Sequence, residues 1–579
     1  MRQVRLDPTR DALTARVDAP AGGFRGLALN GVAAFRGIRY AEPPVGPLRF
    51  APPVLAKPLE EPRDAVTAGP ISVQDIDPLP LVLPGTENNY YGPDAVVSED
   101  CLNLNIWSPD LAGRAPVLVW IHGGAFLCGS GSGPWQDGTR HARDNGIVVV
   151  TLNYRLGYLG GLFLGDYDAR RGNLGLQDQL LALRWVRDNI AAFGGNPDNV
   201  TVFGESAGGR NTYALLMSPL AKGLFQRAIV ESGSTYCSSA AEGENFADAP
   251  DPGSPRSSAE AVVALMQKEF GIDREAAKRK MAGMTPAALA AYLRSKSAKD
   301  ILGPGPAKGT IVIFPQLFDD GVAISAGGWR NLQRADGWNR VPVIVGTTRD
   351  ETRLFLFGDE RFIRLESGLV PRFVNEDLFL RTTAFVSKLM KSAGADRPAA
   401  AMQAQEPNVF VYRFDWDEEP TLYGADLAKM LGAAHGMEVP FVFGHFDLGN
   451  LFANAIFTEE NRPGRLALSK AMMAYWGEFA RTGKPGRGTA GDLPEWPAFG
   501  VAKNQMILAA PDKGGVHAAP SDVDEKALLA QLFADKSLAA EGQCEILRSR
   551  VYLGWDYTKD DYAAIDECKP FPYHVRSDI

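Results

Sequence analysis

The sequence predicts an α/β fold built on a mostly parallel central sheet, and three observations carry that expectation. First, short apolar runs without polar alternation recur, as at residues 116–121 and 147–152. Such runs suit strands covered on both faces, as in a parallel sheet. Second, helix-patterned segments separate the runs, which is the rhythm of βαβ units. Third, Phe203-Gly204-Glu205-Ser206-Ala207-Gly208-Gly209 follows the strand-like run Asn199-Val200-Thr201-Val202 and precedes a helix-compatible stretch, Tyr213-Ala214-Leu215-Leu216-Met217. That is strand, sharp turn and helix, with a serine at the apex.

Taken in order, residues 1–20 read as a loose lead-in. Strand-like sequence with glycines begins at Gly22, and Pro43-Pro44 ends it in an extended turn. Residues 75–98 hold turn formers and few apolar clusters, the pattern of a long surface loop. After the strands at 116–121 and 147–152, Leu180, Leu183, Trp185, Val186 and Ile190 recur near helical spacing over 176–193. Asn196-Pro197 stops that helix before the strand at Val200. Further strands are expected at 228–230, 341–345 and 409–412. Residues 238–310 interrupt the rhythm: they are rich in alanine and charge, with helical pieces at 259–270 and 286–295, and read as a helical region inserted over the sheet. An amphipathic helix is expected at 466–482, with Leu466, Met472, Met473, Trp476 and Phe479 on it. Residues 520–579 read as a polar helical stretch and a tail rich in Tyr and Pro.

The 579 residues carry 60 Lys and Arg against 69 Asp and Glu, a net charge of −9. An acidic chain without a basic cluster argues against a nucleic-acid partner. No apolar run reaches the length of a membrane span. The N-terminus lacks the apolar core of a signal peptide, so a cytoplasmic location is expected; secretion or a periplasmic location would require a leader already removed. Five cysteines, at 101, 128, 237, 544 and 568, are too few and too spread for a disulfide framework, and Cys544 with Cys568 is one pairing the tail allows. Nothing in the spacing of Cys and His points to a metal, and no cofactor is expected.

The apex serine carries the chemistry. Gly204 and Gly208 flank Ser206 two residues away on each side, where a tight elbow leaves no room for side chains. This is the G-x-S-x-G nucleophile elbow of α/β-hydrolases. A serine hydroxyl needs a general base, and histidine, with a pKa near neutrality, is the usual one. The chain has six histidines: 122, 141, 435, 445, 517 and 574. The chain order serine, acid, histidine removes His122 and His141. His435 sits in a glycine-flanked loop after the strand at 409–412, whereas His445 lies in a Phe-rich, packed stretch and the last two follow the sheet. His435 is therefore the expected base. The acid should follow a strand between Ser206 and His435, where ligands of α/β sheets gather. Asp350 and Glu351 both stand there, and spacing does not choose between them. For the oxyanion, Ala207 offers an N–H at the start of a helix, and Trp120-Ile121-His122-Gly123-Gly124-Ala125-Phe126 offers a Gly-rich turn after an earlier strand.

Together these pieces resemble the type B carboxylesterase family, relatives of the cholinesterases. Residues 193–208 fit its serine signature throughout, and Glu99-Asp100-Cys101-Leu102-Asn103-Leu104-Asn105-Ile106 fits a second signature except that Asn103 replaces the usual Tyr or Thr. The resemblance spans roughly residues 20–510 and implies an α/β-hydrolase fold, with helical insertions over the active-site face. It implies a hydrolase domain at 15–515, with its inserted helical region at about 238–330, and a C-terminal extension at 516–579 packing on it. It implies a serine carboxylic ester hydrolase acting on small-molecule esters through an acyl-enzyme, with a Ser206–Glu351–His435 triad. It further implies oxyanion donors at Gly124, Ala125 and Ala207, and second carboxylates, Glu205 and Glu438, that tune the histidine. Arg49 with Glu99 and Arg155 with Asp178 resemble the family's buried ion pairs. The region near position 72 offers Cys101 no cysteine partner, and residues 72–100 lack the tryptophan that cholinesterases use to hold a quaternary ammonium, so choline esters are not expected. Cys128, just after the oxyanion turn, reads as a small buried filler. Hydrolysis of carbamates, amides or thioesters by the same machinery is the nearest alternative; a neuroligin-like binding role is remote, because the triad residues are all present.

Overall fold

The computed structural model describes residues 15–29, 31–74, 95–162, 172–303, 316–368, 370–447, 451–521, 524–553 and 562–571. Among them runs one sheet of thirteen strands. In chain order it begins with β1 (Ala15–Ala19), β2 (Gly22–Leu29), β3 (Val32–Arg39) and the short β4 (Arg63–Asp64). Then come β5 (Asn103–Ser108), β6 (Ala115–Ile121), β7 (Val148–Leu152), β8 (Gly195–Glu205), β9 (Arg227–Glu231) and β10 (Val343–Thr348). Strands Val409–Phe414, Asn504–Leu508 and His517–Pro520 complete it.

Across the sheet the order is β1-β2-β3-β5-β7-β6-β8-β9-β10, followed by those last three strands, with β4 beside β2. From β7 to Asn504–Leu508 every neighbour is parallel; the flanks are antiparallel except for the short β4, which runs parallel to β2. This is the architecture of an α/β-hydrolase, and the parallel centre explains the apolar runs. Val117, Val119 and Ile121 of β6 join a cluster on one face with Val202, Val230 and Val345, while Leu118 and Trp120 join the other with Phe203, Ile229 and Ile344. Both faces are covered, so neither needs polar residues.

Helices Leu174–Asn189 and Ala207–Met217 bury Leu180, Trp185, Tyr213 and Leu216 on the first face. Helix Arg462–Thr482 buries Leu468, Met472, Trp476 and Phe479 on the second. Helices between Ala240 and Leu302 form a separate cluster in which Val262, Met266 and Leu293 meet Tyr158 and Leu159. Helices Glu525–Ala534 and Ala540–Leu553 follow the sheet, and Leu528, Leu532 and Leu547 pack on Val386, Leu389 and Met390 of helix Glu376–Lys391. Cys544 and Cys568 form a disulfide within that cluster. Cys101 and Cys128 are free thiols and buried.

Two expectations need correction or a boundary. The end of the supposed lead-in is ordered: Ala15 and Val17 are buried while Arg16 and Asp18 face outward, and this period-two pattern pairs β1 with β2 as an edge strand. Of the loop expected at 75–98, residues 75–94 lie outside the described residues, as do residues 1–14 of the lead-in and His574.

Two ion pairs pin loops to this frame. Arg155 and Asp178, 4% and 0% exposed, meet through Nη2–Oδ1 at 2.7 Å and Nε–Oδ2 at 2.9 Å. Arg49 binds Glu99 through two hydrogen bonds and also donates to the carbonyls of Arg294 and Lys296, which ties the inserted helices to the N-terminal region. A buried cation left without its anion is costly. Asp178→Ala should therefore lower unfolding free energy by about 3–5 kcal/mol in a urea titration. Asp100→Ala, which breaks the exposed Arg39–Asp100 pair, should cost under about 1 kcal/mol. Equal losses in the two variants would show that burial does not govern the pair.

Candidate functional site

The register of the parallel strands sets the site. Ile121, Gly204, Val230, Val345 and Val411 form one row across β6, β8, β9, β10 and the next strand. One step beyond that row, at the C-terminal strand ends, come His122-Gly123-Gly124, Glu205-Ser206, Glu231 and, past β10, Glu351. Parallel strands deliver all these residues to one edge of the sheet, the place where α/β proteins bind ligands.

Ser206 sits at φ 57°, ψ −118°, a region that non-glycine residues rarely occupy. Such strain costs on the order of 1–3 kcal/mol and persists only where the surroundings over-determine it. Here they do. A Cβ on Gly208 would lie 1.9 Å from the Ile121 carbonyl oxygen, and one on Gly204 would lie 2.6 Å from the Gly208 backbone. The Ser206 N–H donates to the Glu231 carbonyl at 2.9 Å, and the Arg210 N–H donates to the Ser206 carbonyl at 2.9 Å. The elbow is thus clamped between β6 and β9, and Ser206 stays partly exposed while its neighbours are buried.

The Gly-rich turn after β6 lies against the elbow: a Cβ on Gly123 would be 3.2 Å from Ser206 Cβ. Gly124, Ala125 and Phe126 all have positive φ, at 106°, 55° and 61°. A side chain on Gly124 would strike the Cys128 carbonyl, at 2.2 Å. The N–H groups of Leu127 and Cys128 fold back onto the Gly124 carbonyl. Among the described residues, the N–H groups of Gly124, Ala125 and Ala207 donate to no other protein group. Cys128 is buried, with its thiol pKa pushed up to about 12 by desolvation, which is the state of an inert filler rather than a reactive thiolate.

His435 and Glu351 meet directly. His435 Nδ1 lies 2.5 Å from Glu351 Oε2, and the Thr348 N–H donates to Glu351 Oε1 at 2.8 Å. Glu351 is fully buried and immediately precedes helix Thr352–Phe357, whose Thr352 is held by Ser387 and Thr383. Asp350 points elsewhere. It pairs with Arg349 at 2.7 Å and Arg353 at 3.1 Å, and it exchanges hydrogen bonds with the backbone of Ala433. The two adjacent carboxylates that spacing left equal are therefore separated by geometry: Glu351 meets the imidazole, while Asp350 fastens the loop that carries it.

On the other side of the ring, His435 Nε2 lies 3.2 Å from Glu205 Oε1. Burial opposes a charge on His435, but Glu205 and Glu351 outweigh it, and its pKa is raised. Burial pushes the Glu205 carboxyl up to about 7; His435 pulls it down and Glu351 adds to the rise. Glu438 is fully buried, accepts from the Ser232 hydroxyl at 2.8 Å, and is held well above the usual carboxylate range by burial and then by Glu205, Glu351 and Glu231. Glu231, which sequence reasoning missed, is also fully buried and accepts from Trp476 Nε1 at 2.7 Å. Its only signal was a carboxylate closing the apolar run Ala228-Ile229-Val230.

The other described histidines are engaged elsewhere. His122 stacks on Tyr154, binds the Gly123 carbonyl and is pushed down to about 4 by burial. His141 bonds the Val442 carbonyl and Asn145. His445 lies 3.8 Å from Asp137, and His517 is exposed.

Comparison with known proteins identifies the family. The model of the carboxylesterase family matches residues 14–369 and 375–523. The para-nitrobenzyl esterase of Bacillus subtilis is 36% identical over 507 residues, covering 84% of this chain and 93% of that protein. The human cocaine esterase is 34% identical over 511 residues, covering 83% and 84% of the two chains. A solved PNB esterase superposes with a TM-score of 0.67 at 31% identity, over 90% of this chain and 99% of that one.

The contact between Glu205 and the imidazole makes one expectation testable without turnover. Removing an anion beside a cation lowers the cation's pKa. Glu205→Gln should lower the His435 pKa, read from the ring resonances in an NMR pH titration. An unchanged value would mean that the Glu205 charge does not reach the ring.

Proposed function

This chain belongs to the carboxylesterase family and is a carboxylic ester hydrolase, and from that premise we propose that it turns over through an acyl-enzyme on Ser206. Ser206 Oγ attacks the ester carbonyl as His435 Nε2 takes its proton. Glu351, on Nδ1, holds the imidazole in the matching tautomer and stabilises the imidazolium that forms. The tetrahedral oxyanion is received by the N–H groups of Gly124, Ala125 and Ala207, whose freedom from other partners leaves them ready for it. Their positions are set by folding, so no reorganisation is needed when charge develops. His435 then protonates the leaving alcohol. A water deprotonated by the same ring attacks the acyl-enzyme and releases the acid.

The observation that carries this reading is the 2.5 Å contact of His435 with buried Glu351 at the strand edge that also bears Ser206. Glu205 supports it from the second side, since a carboxylate near Nε2 favours the imidazolium that forms after proton transfer. The same machinery would open carbamates, amides and thioesters. The relatives named as esterases favour esters, and p-nitrobenzyl and p-nitrophenyl esters of graded acyl length are the natural probes.

On p-nitrophenyl butyrate, Ser206→Ala should lower kcat by at least about four orders of magnitude. Glu351→Gln should lower it by about three to four orders, with KM little changed. Asp350→Asn should act mainly through melting temperature, because its partners are Arg349, Arg353 and the Ala433 backbone. Undiminished turnover in Ser206→Ala would sink the mechanism. A larger kcat loss in Asp350→Asn than in Glu351→Gln would reverse the choice of acid.

A further inference from the structure

Four carboxylates, Glu205, Glu231, Glu351 and Glu438, lie buried in one cluster, two of them against the imidazole of His435. The mechanism uses Glu351 and, beside it, Glu205. It has no task for Glu231. Yet Glu231 is built into the elbow twice: its carbonyl accepts the Ser206 N–H, and its Cα faces that of Glu205 in the pairing of β8 with β9. Its side chain receives one hydrogen bond, from Trp476 Nε1 to Oε1 at 2.7 Å. Its Oε2 is buried and has no partner among the described residues. No Lys or Arg forms an ion pair with Glu231 among the described residues; the group that can carry positive charge in this cluster is His435, already flanked by Glu351 and Glu205.

An uncompensated carboxylate in such a place is too costly to keep, and a proton relieves it. We propose that Glu231 is a positioning residue that acts as a neutral acid: it keeps its proton while Ser206 turns over, so that His435 works against two facing carboxylates and not three. The groups that face this cluster are Glu205 from β8, Tyr412 from the strand beyond β10, Glu438 and Ser232 from the two sides, Glu351 after β10, and Trp476 from helix Arg462–Thr482. The direction agrees: burial first, then Glu205, pushes Glu231 up to about 8, and the Trp476 hydrogen bond opposes that rise. The Tyr412 hydroxyl, itself buried and without a partner among the described residues, is raised well above its ordinary range by burial and then by the same carboxylates, and stays neutral too.

The consequence lies above neutrality. When Glu231 loses its proton, a new negative charge appears beside Glu205 and strengthens the pull of the cluster on the His435 proton. The base is then harder to discharge, and turnover should decline in a step separate from the acid limb set by His435. The proposal rests on Ser206 and His435 acting as described above, so Ser206→Ala is measured alongside.

The test is the pH profile of kcat/KM on p-nitrophenyl butyrate. Wild type should show an inflection near pH 8. Glu231→Gln, which mimics the neutral acid, should lose that inflection while the midpoint of the acid limb stays where it is. Glu231→Asp, which still titrates, should keep an alkaline inflection. Trp476→Phe, which removes the hydrogen bond favouring the charged form, should move the inflection to higher pH. Infrared difference spectra give a readout independent of turnover: the carbonyl stretch of protonated carboxyls at pH 7 should lose one component in Glu231→Gln, while that of Glu438 remains. An alkaline inflection that survives in Glu231→Gln, or no loss of that component, would overturn the proposal. Full activity in Ser206→Ala would instead overturn the mechanism on which it rests, and the infrared result would stand by itself.

Discussion

The site depends on one close approach. The backbone of β8 turns into its helix so tightly that Gly204 meets Gly208, and Gly208 meets the end of β6 at the Ile121 carbonyl. No side chain fits at either contact. From that crossing follow the positive φ of Ser206, the hydrogen bond from its N–H to Glu231, and the placement of the Gly123–Gly124 turn beside it. A strained nucleophile is held because two strands and a helix leave it nowhere else to go, and the apolar clusters on both sheet faces supply the stability that keeps it there.

Electrostatics forms the second layer. Burying four carboxylates in a cluster with one histidine would be self-defeating if each stayed charged. The cluster is arranged so that charge is graded: Glu351 and Glu205 face the ring, whereas Glu438 and Glu231 find hydroxyl and indole donors in place of a cation. The residue just before the nucleophile thus belongs to the base as much as to the elbow.

Much of this was legible in the sequence, and the reasons differ by residue. Ser206 could be read because steric exclusion writes glycines at fixed offsets. His435 could be read because chain order eliminates competitors and glycine flanks mark a projecting loop. Glu351 could not be told from Asp350 by spacing, since both follow the same strand; only the Thr348 N–H and the partners Arg349 and Arg353 sort them, and those contacts depend on three-dimensional direction. Glu231 was hidden because a single acid at the end of an apolar run looks like a strand terminus. The parallel centre of the sheet was legible from unbroken apolar runs, but β1 was not, because an edge strand with alternating Arg16 and Asp18 resembles a solvated lead-in. The Cys544–Cys568 pairing needed coordinates, as two cysteines in a tail carry no information on distance.

The C-terminal helices, which lie past residue 523 where the family match ends, share a cluster with helix Glu376–Lys391, and Phe355 packs on that cluster. Phe355 also lies 4.8 Å, centroid to centroid, from the imidazole of His435. The cluster that the tail completes therefore stands behind a ring that faces the proton carrier. Trimming such a tail to simplify an enzyme would remove more than a surface ornament: it would uncover the cluster on which that ring rests.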